Sequence, residues 1–195
     1  MKMRIFIKAV YAGFMIGIGG IVYLAVDNKI AGAMLFSFGL LTIVTQGFYL
    51  YTGKIGFVKA WSELLDMAVV VTGNFAGTFI AAATAKLAHV NISSLELAER
   101  KLDNSMGSVF FLSVLCGVMM YLAIDNYNKS KNIVFIIAPV MIFILSGFEH
   151  SVANMFYFHL AGEYGLKMWA WLLVMIIGNG VGAKLFDFIK MSADT

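Results

Sequence analysis

Tyr23-Leu24-Ala25-Val26-Asp27-Asn28 returns, with one conservative change, as Tyr121-Leu122-Ala123-Ile124-Asp125-Asn126. A duplicated chain that is also overwhelmingly apolar is the mark of a membrane channel or transporter built from two fused halves. Working outward, Gly73-Asn74-Phe75-Ala76-Gly77 is echoed by Gly178-Asn179-Gly180-Val181-Gly182, and Gly47 by Gly147. The three offsets are 98, 105 and 100 residues, so order is kept with small insertions.

Composition fixes the solvent. Sixty-one per cent of the 195 residues are hydrophobic and 13% are charged, against about 25% charged in soluble domains. Ile30–Tyr51, Met67–Ala85 and Ser105–Ile124 carry no charge, and Phe6–Val26 carries only Lys8. Ile133–Leu160 is interrupted by Glu149, His150 and His159, and Met168–Phe186 by Lys184. A crossing needs about 20 apolar residues, so the expectation is an all-α protein of six transmembrane helices. It forms one integral membrane domain over 1–195, with repeat halves at about 1–92 and 93–195. Three helices per half, an odd number, make the second half enter from the opposite side, as an inverted repeat.

Phe6–Val26 is longer than a signal-peptide core, lacks a clear cleavage site and has an equivalent in the second half, so it is expected to be structural. The single cysteine, Cys116, lies in an apolar span and excludes an internal disulfide. With the N-terminus inside, Lys2, Arg4, Lys8, Lys54, Lys59, Lys129, Lys131, Lys184 and Lys190 flank the cytoplasmic side. Lys29, Lys86, Arg100, Lys101 and Lys167 flank the other, so the basic residues favour both termini in the cytoplasm. The polar stretch Lys86–Asp103 contains Ser93-Ser94-Leu95-Glu96, the spacing of a capping box, and predicts a short helix from Ser94 towards Asp103.

The second and fifth spans exceed a straight crossing and carry glycine beside polar residues: Thr45-Gln46-Gly47 and Thr52-Gly53-Lys54, then Ser146-Gly147 and Glu149-His150-Ser151. Paired broken helices at matching positions point to a substrate path. Ionisable groups inside such a helix are costly unless they face a cavity or a partner. Glu149 either satisfies backbone groups freed by the break or serves the path. His150, with one donor and one acceptor when neutral, either faces the pore or is a satisfied structural histidine. Lys101 is either an interfacial lysine reaching water or part of an entrance. Thr52 and Ser151 suit unwound backbone or ligand equally. His89 and His159 look like loop or interface residues without a role. No phosphate-binding loop, dinucleotide fingerprint or nucleophile–base pair argues for an enzyme or a cofactor. A lone Glu-His lacks the ligands a metal needs.

Gly147-Phe148-Glu149-His150-Ser151-Val152-Ala153-Asn154-Met155 resembles the fifth-helix signature of the formate/nitrite transporter family. Leu50-Tyr51-Thr52-Gly53 resembles that family's second-helix break, and Gly178-Asn179-x-x-Gly182 its sixth-helix pattern. Lys101, sixteen residues before Gly117, falls at its vestibule lysine. The resemblance covers essentially the whole chain. It implies an aquaporin-like fold with broken second and fifth helices, assembled as a homopentamer in the lipid bilayer of the cell membrane. The cargo would be a small monovalent anion (formate, nitrite, hydrosulfide, acetate or lactate), with no nucleic-acid partner; the cost of a bare charge in an apolar pore makes passage passive or coupled to a proton. Carried over by position, Phe36 and Phe143 would form an outer constriction and Leu40, Leu50 and Met120 an inner one, with Thr52 and His150 between them. Glu149, Asn154, Gly47, Gly147, Asn74 and Asn179 would be structural at the breaks.

The chain departs from the family pattern at Gly117, where asparagine is usual and a polar pore contact is expected, and at Lys54, where Thr-Gly-Asn is usual. The family's amphipathic N-terminal segment and longer C-terminal tail are nearly absent. The competing reading is a neutral-solute channel of the aquaporin type, but its Asn-Pro-Ala loops are impossible with Pro139 as the only proline.

Overall fold

In a computed structural model, which describes residues 1–90, 92 and 95–193, the chain is helical and the described residues contain no strand. The helices are α1 (Lys2–Ala25), α2 (Lys29–Gln46), α3 (Tyr51–Lys54), α4 (Trp61–Leu87), α5 (Leu95–Asp103), α6 (Met106–Ser130), α7 (Val134–Leu145), α8 (Ser151–Ala161) and α9 (Leu166–Ala193). A 3₁₀ turn, Ile55–Phe57, continues α3. Among the described residues five helices are long and apolar enough to cross a membrane: α1, α2, α4, α6 and α9, the last over Leu166–Ser192. The expected fifth span is divided into α7, twelve residues, and α8, eleven residues. The short helix of the polar stretch is α5. Ser93 and Ser94 of the expected capping box lie outside the described residues.

Two helices outrun their apolar stretches, and side chains explain both. α4 starts six residues before Met67 because Glu63 Oε2 accepts the Lys59 and Ala60 N–H groups at 2.7 and 3.4 Å, satisfying donors that a helix start leaves open. α6 continues past Ile124 because Asp125 meets Lys190 at 2.8 Å and Lys129 at 3.0 Å.

The same contacts occur in both halves. α1 packs on α4 and α2, and α6 on α9 and α7. Asn74 Nδ2 donates to Ala9 O at 2.8 Å and Tyr49 O at 2.9 Å, and its Oδ1 accepts Tyr51 N–H at 2.9 Å. Asn179 repeats this on Ser113 O at 2.8 Å, Glu149 O at 2.8 Å and Ser151 N–H at 2.9 Å. Tyr49 N–H reaches Lys8 O at 3.2 Å, and Glu149 N–H reaches Leu112 O at 3.3 Å. Each buried asparagine thus closes the backbone that its broken helix leaves open.

These contacts pair positions at a different offset from the hexapeptide match. Gly13 meets the backbone of Asn74 and Gly117 that of Asn179, 104 residues apart along the chain. At that offset the counterpart of Tyr23 is Tyr127, not Tyr121. Asn28 Oδ1 caps α2 through Ile30 N–H at 3.0 Å and Asn132 Oδ1 meets Val134 N–H at 3.0 Å, again 104 apart. Asp125-Asn126, by contrast, lies inside α6. The hexapeptide match therefore joins non-equivalent positions, because similar apolar residues recur in a lipid-facing chain without marking register.

Candidate functional site

Gly47 and Gly147 end α2 and α7 in the left-handed region, at φ 65° and 71°, where a side chain is strained. Phe48 N–H and Phe148 N–H then turn back to Ile43 O and Phe143 O, each at 2.9 Å. These turns place Leu50 and His150 at corresponding N-caps, of α3 and α8. Asn74 and Asn179 hold the backbone behind them, and both are fully buried.

The residues expected to form the path are brought together between two cavities. His150 Nε2 lies 2.9 Å from Thr52 Oγ1, joining the halves. His150 Nδ1 accepts the Ala153 N–H at 3.0 Å. An acceptor at Nδ1 puts the proton of the neutral ring on Nε2, so Nε2–H donates to Thr52. The Thr52 hydroxyl hydrogen then remains available as a donor. Phe143 stacks on His150 at 5.2 Å between centroids and meets Phe36 edge-on at 6.1 Å. Phe36, Leu40, Leu50, Thr52, Met120, Phe143 and His150 are each at most 3% exposed. This buried set is apolar apart from Thr52 and His150.

On one side lies a cavity of about 170 Å³ beneath α5, lined by Lys101, Phe143, His150, Asn154 and Tyr157 among others. Lys101 Nζ meets Glu149 Oε2 at 2.7 Å, and that oxygen also accepts Asn154 Nδ2 at 2.6 Å. Glu149 is therefore tied to α5 and α8 by its side chain, while its freed carbonyl is held by Asn179. The carboxylate oxygen Oε2 thus meets a cation and an amide. Lys101 is 12% exposed and paired, not a lysine reaching into bulk water. On the other side a pocket of about 130 Å³ starts at Leu40 and Leu50 and adjoins one of about 710 Å³ lined by Arg4, Lys8 and Lys54.

Gly117 is placed elsewhere. Its α-carbon faces the Asn179 carbonyl and the Ala183 backbone across the α6–α9 contact, at a separation that leaves no room for a Cβ. An asparagine here would have to separate the two helices, so glycine at this position goes with the close packing of α6 on α9. His159, expected at a loop or interface, is 3% exposed, with Nδ1 3.0 Å from Tyr164 Oη and Nε2 3.2 Å from Phe75 O. Sequence reasoning also passed over Tyr157 and Ser113, whose positions carry no local signal. Among the described residues no three His, Cys, Asp or Glu side chains converge as a metal would require.

Broken helices, held by buried asparagines and meeting at a buried, largely apolar cluster with a lysine-bearing cavity on either side, define a membrane protein of channel-like build. The family model described as formate/nitrite transporter matches residues 1–191. The chain is 30% identical to formate channel FocA of Haemophilus influenzae over 149 residues, covering 66% of this chain and 52% of that one. It is 27% identical to formate channel FocB of Escherichia coli over 184 residues, covering 80% of this chain and 65% of that one. The matches thus span between half and two thirds of those relatives' length. A solved structure described as a pentameric formate channel with formate bound superposes with a TM-score of 0.85 at 24% identity, covering 98% of this chain and 96% of that chain. A second, described as a formate/nitrite transporter family ion channel, has a TM-score of 0.89 at 22% identity over 99% and 90%. The chain belongs to the formate/nitrite transporter family.

Proposed function

We propose that this protein carries a small monovalent anion, formate first among the candidates, across the cell membrane with a proton and without catalysis. The observation that carries the reading is the dry neck, with one hydrogen-bonded Thr52–His150 pair at its centre and a lysine-lined cavity at each end. In this reading α2 with α3, and α7 with α8, each make one crossing, giving six. The halves are inverted about an axis in the membrane plane, and both termini are cytoplasmic. The cavity beneath α5 is then the outer one. Exposed apolar side chains such as Phe38, Phe111, Leu173 and Phe188 suit contact with lipid and with four further copies of the chain.

The energetics favour a neutral passenger. A bare anion in an apolar medium costs on the order of tens of kcal/mol. Neutralising an acid that titrates near pH 4 costs only about 4 kcal/mol at pH 7. Lys101, whose charge Glu149 partly offsets, draws the anion into the outer cavity. Loss of water there raises its basicity, and it takes a proton. The imidazole is a poor source, because giving up Nε2–H would leave an anionic ring while Nδ1 already accepts a backbone bond. The proton comes instead from the outer solution through water in the cavity, so no hydroxide is left behind. Thr52 Oγ–H then donates to the passing acid, and His150 fixes that hydroxyl from behind. The acid ionises again beyond Leu40 and Leu50.

The test is solute entry into proteoliposomes, scored against protein-free liposomes. Formate is expected to enter faster in the protein's presence and glycerol at the protein-free rate. Accelerated glycerol with unaccelerated formate would instead make this a neutral-solute channel.

A further inference from the structure

Lys54 ends α3 immediately after Thr52-Gly53 and lines both the pocket beneath Leu40 and Leu50 and the larger cavity into which it opens. Its ammonium stands 4.4 Å from the Tyr49 ring centroid, and that of Lys8 stands 5.2 Å from the same ring. Lys8 also donates to Gly47 O at 3.1 Å, so its position is tied to the α2 break. Arg4, one turn earlier on α1, faces the same cavity. Glu63 and Asp66 are the carboxylates of that wall, and Glu63 is engaged by the Lys59 and Ala60 N–H groups.

The two ends of the neck therefore differ in charge. Among the described residues the ion pairs join Lys101, Lys129, Lys184 and Lys190 to carboxylates, and none includes Arg4, Lys8 or Lys54. Lys54 is half-buried and touches the face of Tyr49 rather than an acceptor oxygen. Two like charges beside one ring repel each other, more strongly where protein replaces water. An anion entering the cavity relieves that repulsion and supplies the acceptor that the Lys54 ammonium lacks.

We infer that Lys54, with Lys8, forms a second anion-binding station at the inner mouth, which takes the transported monovalent anion and sets the affinity for entry from that face. The station rests on the transport reading above. An anion from the cytoplasm is held there before it takes a proton, and an acid leaving the neck re-ionises against it. Glu149 offsets Lys101 at the outer station, whereas no carboxylate is paired to Lys54 at the inner one. The inner mouth therefore saturates at the lower anion concentration.

The experiment uses full-length protein in proteoliposomes of sorted orientation, with initial rates of labelled formate measured against concentration from each face. Lys54→Asn is expected to raise the half-saturating concentration from the inner face about tenfold and from the outer face less than about twofold, and Lys54→Arg to restore the parent value. Equal shifts on both faces, or none on either, overturn the station. Calorimetric titration of sodium formate into the detergent-purified protein reads binding without transport. Lys54→Asn is expected to remove a binding event there, and an unchanged isotherm overturns the inference. A parent protein that binds formate but does not move it would instead count against the transport reading.

Discussion

Asn179→Ala is expected to lower the thermal midpoint of the purified protein by about 10 °C or more and to cut the yield of assembled material. The amide makes three buried hydrogen bonds, to Ser113 O, Glu149 O and Ser151 N–H. Ser113 O lies within α6 and keeps its helical partner. Glu149 O and Ser151 N–H lie at the break and have no substitute. A buried backbone group left unpaired costs about 1–3 kcal/mol, so the pair costs about 2–6 kcal/mol, a large share of a typical net stability of about 5–15 kcal/mol. Asn74→Ala removes the matching bonds to Ala9 O, Tyr49 O and Tyr51 N–H and is expected to cost a similar amount. A melting curve within about 2 °C of the parent for either variant contradicts this account of the breaks.

The second large effect is expected at the centre of the neck. Thr52→Val keeps the shape of the side chain and removes the hydroxyl that meets His150. Formate transport is expected to fall about tenfold or more, since a hydrogen bond lost in a dry site is worth about 1–3 kcal/mol. The thermal midpoint should fall by several degrees, because Nε2–H of His150 loses its 2.9 Å acceptor while Nδ1 still accepts the Ala153 N–H. His150→Phe goes further. It frees Thr52 from its 2.9 Å partner and leaves the Ala153 N–H uncapped, so transport should fall about a hundredfold with some loss of stability. A His150→Phe protein that conducts at the parent rate removes the imidazole from the mechanism.

The parts of this architecture legible in sequence are those that leave a local mark. A glycine beside polar residues inside an apolar run exposed both breaks, because a left-handed turn needs glycine and unwound backbone needs polar partners. Asn74 and Asn179 stood out through the repeated glycine–asparagine pattern that surrounds each of them. The pairing of Lys101 with Glu149 left no such mark, since 48 residues separate partners that meet only after α5 folds over α8. The close approach of Gly117 to the Asn179 carbonyl left none either, because that carbonyl lies on another helix. The opening hexapeptide pointed to duplication but at the wrong register, whereas the hydrogen bonds of the asparagines fix it. His159 illustrates the limit on single residues, as nothing around it in sequence announces Tyr164 and Phe75 as its partners.

The central claim is that charge is shed before the neck and regained after it. The most direct measurement loads proteoliposomes with a pH-sensitive dye and adds a formate gradient without a proton gradient, with protein-free liposomes as the baseline. The account predicts acidification of the lumen in step with formate entry, no net charge movement, and faster entry as external pH falls from about 8 to about 5. Formate entry that carries current, leaves the lumen at constant pH and ignores external pH would contradict it.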